Sequence, residues 1–511
     1  MASRDDVRAR FLAHALDRFP EDASSLGAGG DHRLRDPSAA AFEAEERALT
    51  ALRADAHAWA PASPAAALDR LAMLRRADFR LRTLKDRRAR RNLELVALPY
   101  AAVAYVESHG RAAGARAAQI PAYLDALGAT LRHELARGWV PEPLVVEAFL
   151  CEVLPAAAAG LRASGHADAA RAYDAFTPVL DACGARAVEG GDALGDDELR
   201  FRLASFGVDP PERLAERARA SLAEAQAALR ARCPGGEPLA KHLARLMAPT
   251  LGDDVEAFYV LRCDELVDRA RDRLVPWPPN TDVRVRVLAA PPGLAHGNWP
   301  CPLFDPDAHG AFLIDPDPAG NPRFWAEVFT VHEAVPGHYL QSAWWQAAHG
   351  DGGHAHAVRF LNVADDVAAS WQDWGPMVMI EGWAVHAEQI MWRDGYFAGP
   401  AADAALVSNA LRAVRVLVDL GLQAGRMTPD EAAALYVREA CMPEPWARAQ
   451  VVRHRRIPLQ GLTYLAGRLA LEDLEAAAAA RGVSTLEARR RLLAEGPLPP
   501  ALLHDIVLGG G

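Results

Sequence analysis

The chain has 511 residues, is 51% hydrophobic and carries a formal net charge of −11 at pH 7. That length admits one large domain or two to four ordinary ones. The acidic balance argues against a general nucleic-acid binder and against docking on anionic lipid. Lysine occurs only at Lys85 and Lys241, so a side chain that clamps a substrate carboxylate has to be an arginine. The six cysteines (Cys151, Cys183, Cys233, Cys263, Cys301, Cys441) form no C-x-x-C pair, which excludes a disulfide framework and a cysteine zinc site and predicts reduced, mostly buried thiols. The N-terminal MASRDDVRARFLAHALDRF is charged and amphipathic, without an apolar signal region, and no continuous apolar run reaches membrane-spanning length. The expectation is a soluble, cytoplasmic protein with no membrane and no nucleic-acid partner.

The first 280 residues read as helix. Asp36-Pro37 and Ser63-Pro64 each place a capping residue before a proline at the first helical position. The second opens LDRLAMLRRADFRLRTL, whose apolar residues recur at three and four positions. The basic run Arg87 to Arg91 reads as a solvated face paired in part with Asp86 and Glu94. Further helices are predicted over Pro121 to Arg137, Pro141 to Ala159 and His166 to Cys183, and another, capped by Asp209, from Pro210 or Pro211 to about Arg232. At LVPWPPN (Leu274 to Asn280) the texture changes. VRVRVL (Val283 to Leu288) alternates strictly, the mark of a half-exposed strand. AFLI (Ala311 to Ile314) is a second short strand, and Asn321-Pro322 opens a new helix. Gly350 to Gly353 is a loop, with His354 and His356 beyond it as surface histidines or as residues that support the ligands. Helices follow again over Val378 to Ile390 and through the C-terminal part, where Arg412, Arg415 and Asp419 share one helix and Arg415 and Asp419 form an i,i+4 pair that suits surface pairing. The expected architecture is mainly α, a helical region over 1–280 and a metal-binding catalytic region over 281–511, integrated into one fold.

The chemistry concentrates in VHEAVPGHYLQ, Val331 to Gln341. His332 and His338 can share a cation, and Glu333 is placed as the base beside it. Glu381, in MIEGWAVHAE, is the candidate third ligand. A zinc-protease H-E-x-x-H motif sets its histidines one helical turn apart; here the second comes six residues after the first. At roughly 100° per residue, a regular helix would turn His338 about 120° away from His332. Pro336 and Gly337 therefore have to form a kink or bulge that returns His338 to its partner. Gln341 and Glu388 are candidates for orienting the ligands.

HEAVPGHYLQ followed by EGWAVHAE resembles family 885 of the bacterial domains of unknown function, whose hallmarks are HExxPGHxxQ and EGWAxYxE. Proteins of this family look like zinc metallopeptidases of the gluzincin type. The resemblance implies a large helical fold with a deep central cleft and a small β-hairpin or sheet next to the metal helix. It also implies Zn2+ held by His332, His338 and Glu381, with Glu333 as base. RHRRIPLQGLTYLAG (Arg453 to Gly467) is similar to a later family pattern, and keeps Arg453, Pro458, Gln460 and Tyr464. It departs from that pattern at His454, usually Tyr, at Leu459, usually Gly, and at Leu465, usually Lys. Gln423 stands where the family has His, and His386 where it favours Tyr.

The resulting expectation is a zinc-dependent hydrolase that cleaves a small peptide or related amide. Glu333 is the general base, and Tyr464, Arg453 or His454 donates to the oxyanion. Two His and one carboxylate also suit a non-haem iron enzyme, and a helical scaffold with a vestigial metal site is the non-catalytic alternative.

Overall fold

Ser63 caps its helix as the sequence predicts, its hydroxyl accepting from Ala66 N at 3.2 Å, with Pro64 at the first position of the Pro64–Lys85 helix. The preceding helix, Ala39–Ala58, is capped by Ser38 and not by Asp36. Asp36 instead accepts from Ser38 N at 2.8 Å, which forms the turn before the cap. The computed structural model describes residues 4–279, 285–290, 296–305, 307–350 and 356–508. Val283, the Pro291–Ala295 stretch, Asp351 to Gly353 and His354 lie outside the described residues. The protein is mainly helical, with one three-stranded sheet of order β1-β3-β2 (β1 Val287–Ala289, β2 Gly297–Trp299, β3 Ala311–Ile314). β1 runs parallel to β3 and β2 antiparallel to it.

Two compact units divide the chain. The first comprises residues 1–194, 353–373 and 455–458; the second comprises 195–352, 374–454 and 459–511. Helices from Gly195 to Ala270, which the sequence groups with the N-terminal region, thus belong with the segments that carry His332, His338 and Glu381.

In the first unit, charged side chains are buried in pairs. Arg35 and Glu21 meet at 3.0 Å, and Arg35 Cζ lies 4.7 Å from the Phe19 ring. The basic run is less solvated than the sequence suggests. Arg90 is buried, Arg87 and Arg91 both reach Glu134, and Arg88 pairs with Asp86; Glu94 takes Arg456. The stretch His166 to Cys183 is two helices, Ala167–Asp174 and Thr177–Gly184. Pro143–Ala163 is one continuous helical stretch long and apolar enough to cross a membrane by length and composition, with 44% of its most apolar window buried. Glu147 and Glu152 interrupt its apolar run, which hides it in the sequence.

The second unit is built on helix pairs. Gly375–Arg393 packs most extensively against Thr463–Ala480, and Pro211–Arg232 against Pro400–Gln423. The first pair crosses through glycines. A Cβ on Gly382 would lie 2.5 Å from Gly467 Cα, and one on Gly467 would overlap the Val378 carbonyl oxygen. The backbones therefore approach more closely than any larger residue permits. The sheet packs on the same unit through Phe312, Ile314, Tyr259 and Ala326. Asp209 does not cap the Pro211–Arg232 helix; it pairs with Arg213 and Arg217. All six cysteines are free, and Cys183, Cys263 and Cys301 are buried.

Candidate metal centre

The helix that begins at Arg323 widens into a π turn over Thr330–Ala334 and ends there. Val335 is extended, the Val335–Pro336 peptide is cis, and His338 is the first residue of the next helix, His338–His349. The kink expected at Pro336-Gly337 is thus a full break between two helices. Gly337 is required by proximity: a Cβ there would overlap the His332 carbonyl oxygen. The break returns His338 to His332, with ring centroids 4.8 Å apart and nearly perpendicular.

Glu381 projects from the middle of the Gly375–Arg393 helix. Its Oε2 lies 3.3 Å from His332 Nε2 and 3.4 Å from His338 Nε2. One donor atom from each of the three residues falls within 4.8 Å of the other two. A tetrahedral zinc with bonds of about 2.0–2.1 Å separates its ligand atoms by about 3.4 Å. Glu381 Oε2 is buried without a hydrogen-bond partner among the described residues. A buried carboxylate oxygen left in that state is costly, and a cation between the three side chains satisfies it. By donor chemistry, spacing and this orphaned oxygen, the residues fit the metal.

A second layer holds His332. Its Nδ1 meets Glu388 Oε1 at 2.7 Å. Glu388 in turn accepts from Ser408 Oγ at 2.8 Å and from Arg412 at 3.0 Å. That carboxylate fixes the imidazole with Nδ1–H toward Glu388 and Nε2 toward Glu381. Burial disfavours the charged His332 ring, but contacts with Glu381 and Glu388 outweigh it and raise its pKa from 6.5 to about 9. Burial likewise disfavours the Glu381 carboxylate, yet the two histidines hold it well below the usual carboxylate range. In the metal-free site the raised pKa of His332 favours a proton on its ring.

The other predicted residues divide. Glu333 is half-buried, and among the described residues its carboxylate makes no hydrogen bond or ion pair; its backbone carbonyl accepts from Asn298 at 3.3 Å, which ties the metal turn to β2. Tyr464 is at the site: its ring lies nearly parallel to His332, 6.1 Å away. Gln460 Nε2 lies 3.5 Å from both the Tyr464 hydroxyl and Glu381 Oε1. Arg453 donates to Gln460 Oε1 at 2.7 Å, so Gln460 separates it from Glu381. His454 departs from expectation, because both of its ring nitrogens are engaged away from the triad. Nδ1 faces Asp419 at 2.8 Å and Nε2 faces the Tyr436 hydroxyl at 2.6 Å. Gln341 supports the backbone instead of a ligand, donating to the Met379 carbonyl at 3.2 Å. His356 pairs with Asp69 in the first unit. His386 is buried against Glu475 at 2.7 Å.

Sequence reasoning left Gln460, Ser408 and Arg412 without a role at this site. Only Gln460 carried a signal, its place in the family-like stretch; the other two face Glu388 through helix packing.

A model of one protein family matches residues 20–507, described as bacterial protein of unknown function (DUF885). The chain belongs to that family. No curated protein matches it. Two solved structures share the fold of this DUF885 protein, each described as a "putative lipoprotein". The one from Colwellia psychrerythraea has a TM-score of 0.76 at 16% identity, covering 99% of both chains. The one from Shewanella oneidensis, of unknown function, has a TM-score of 0.72 at 16% identity, covering 99% of this chain and all of the other. At that identity the likeness extends to the fold alone.

Proposed function

We propose that this DUF885 protein is a zinc-dependent hydrolase of a peptide or related small amide, working in the cleft of a gluzincin-type metallopeptidase-like fold. The observation that carries the reading is the spacing of Glu381 Oε2 from the two imidazole nitrogens, 3.3 and 3.4 Å. Bound zinc supplies Lewis acidity and a water of lowered pKa.

The rest falls to the chain. His332, His338 and Glu381 hold the ion, and Glu388 with Arg412 keeps His332 in its ligating tautomer. The Glu333 carboxylate takes a proton from the attacking water and returns it to the leaving amine. Tyr464 offers its hydroxyl to the carbonyl oxygen as charge develops there. Arg453 acts through Gln460, as a positioning residue. β2 is an edge strand joined to the metal turn, and an extended substrate can pair with such an edge. Cell fractionation decides between the cytoplasm, expected from composition, and an envelope location of the kind a lipoprotein occupies.

The test is Glu333→Gln. Bound zinc is retained and hydrolysis falls by about 10²–10⁴-fold. Unchanged hydrolysis overturns the assignment of the base. Stoichiometric iron with oxygen-dependent turnover overturns the hydrolase reading as a whole.

A further inference from the structure

Two arginines of the second unit, Arg412 and Arg415, lie over the Tyr464 ring, a third, Arg453, reaches Gln460 beside it, and the three differ in how their charge is met. Arg412 pairs with Glu388 at 3.0 Å, and Arg453 donates to Gln460 at 2.7 Å. Arg415 donates to Gln450 Oε1 at 3.1 Å and lies beside the Tyr436 hydroxyl. Its Cζ is 4.9 Å from the Tyr464 ring centroid, and that of Arg412 is 5.4 Å away. Among the described residues Arg415 has no carboxylate partner, and its Nε is buried without any hydrogen bond. The i,i+4 pairing with Asp419 that the sequence offers is not formed, because Asp419 turns to His454 Nδ1 and Leu459 N.

A half-buried guanidinium without an anion is costly to keep. Burial, and then the like charge of Arg453, press the pKa of Arg415 below its ordinary value. Leucine or methionine would fill the same space without that cost. Tyr464 stands between this charge and the metal centre: one guanidinium lies 4.9 Å from its ring, and the His332 ring lies 6.1 Å from it.

We infer that Arg415, with Arg453 beside it, forms a carboxylate-binding subsite next to the metal centre, and that the substrate carries a free carboxylate which this subsite anchors. Planar guanidinium forks match carboxylates in bidentate fashion, and a chain with two lysines has no other cation to use. The inference deepens the hydrolase reading, since the carboxylate would belong to the peptide or acyl-amino acid being cleaved.

The experiment measures binding of N-acetylphenylalanine and N-acetylphenylalaninamide to the full chain by calorimetry, with chelator present. The expected result is binding of the carboxylate at least about tenfold tighter than the amide. Arg415→Met abolishes the preference and Arg415→Lys keeps part of it. Equal binding of the two probes, binding of neither, inorganic phosphate preferred over both, or an unchanged preference in Arg415→Met overturns the subsite. The comparison within the unaltered protein stands even where a variant fails to fold. Because chelator is present, failure of the subsite is separate from failure of the zinc reading, which metal analysis reports independently.

Discussion

At the scale of single residues, the proposed metal competes with protons for His332. His332 in the metal-free protein titrates near 9, against 6.5 for an ordinary histidine. Its raised pKa favours the folded metal-free protein fully below pH 6.5, and that contribution is lost as pH rises through about 9. A cation must displace the same proton. Zinc affinity measured by chelator competition is therefore expected to rise between pH 6.5 and 9, by up to about tenfold per unit. An affinity independent of pH over that window contradicts the proton-occupied site. Glu388→Gln weakens the orientation of His332, and the expected loss of zinc affinity is about 10–100-fold. Leu459 gives a different kind of prediction. It sits at φ 70° and is fully buried, a left-handed backbone that costs a side-chain-bearing residue about 1–2 kcal/mol. Leu459→Gly is expected to be more stable than Leu459→Ala by about 1 kcal/mol in denaturant unfolding, the reverse of their usual order. His332, His338, Glu381, Glu333 and Glu388 stood out in the sequence because the H-E and E-G-W motifs name residue types that chemistry restricts, and the first three converge in the fold. The engagement of His454 was not legible there, because its partners Asp419 and Tyr436 come from two other helices and only packing brings them together.

Two places in the second unit, at the scale of elements, depend on the absence of a side chain. Where the Gly375–Arg393 and Thr463–Ala480 helices cross, Gly382 adjoins Glu381 and Gly467 lies three residues beyond Tyr464. Gly467→Ala forces a methyl against the Val378 carbonyl, so thermal unfolding is expected to report a loss of about 1–3 kcal/mol. Zinc affinity should fall with it, as the crossing sets the distance from Glu381 to Tyr464. Gly184→Ala, where a Cβ meets only Val146 at 3.6 Å, is the comparison: it is expected to be neutral or slightly stabilising. Gly337→Ala disrupts the turn between His332 and His338 and is expected to lose the metal outright. The periodicity of the sequence located most helices within a few residues. It did not show that the segment from His332 to His349 is two helices joined by a break, since Pro-Gly within an apolar run fits a kinked helix equally well. The order β1-β3-β2 was equally hidden, because AFLI is central only by virtue of partners on either side.

At the scale of the whole molecule, composition and motif carried the helical class and the family, while the division into units did not follow chain order. Residues 353–373 and 455–458 return to the first unit by long-range contacts that no local pattern announces. A metal that binds only the folded chain stabilises it by about 2.7 kcal/mol at a free concentration one hundred times its dissociation constant. Zinc is therefore expected to raise the unfolding temperature of the unaltered protein and leave that of Glu381→Gln unchanged. The most direct measurement is anomalous scattering at the zinc edge from crystals of the full chain grown with zinc. The account predicts one strong peak about 2.0–2.2 Å from His332 Nε2, His338 Nε2 and a Glu381 carboxylate oxygen. A map with no peak between those three side chains, or with zinc bound elsewhere while they point apart, contradicts it.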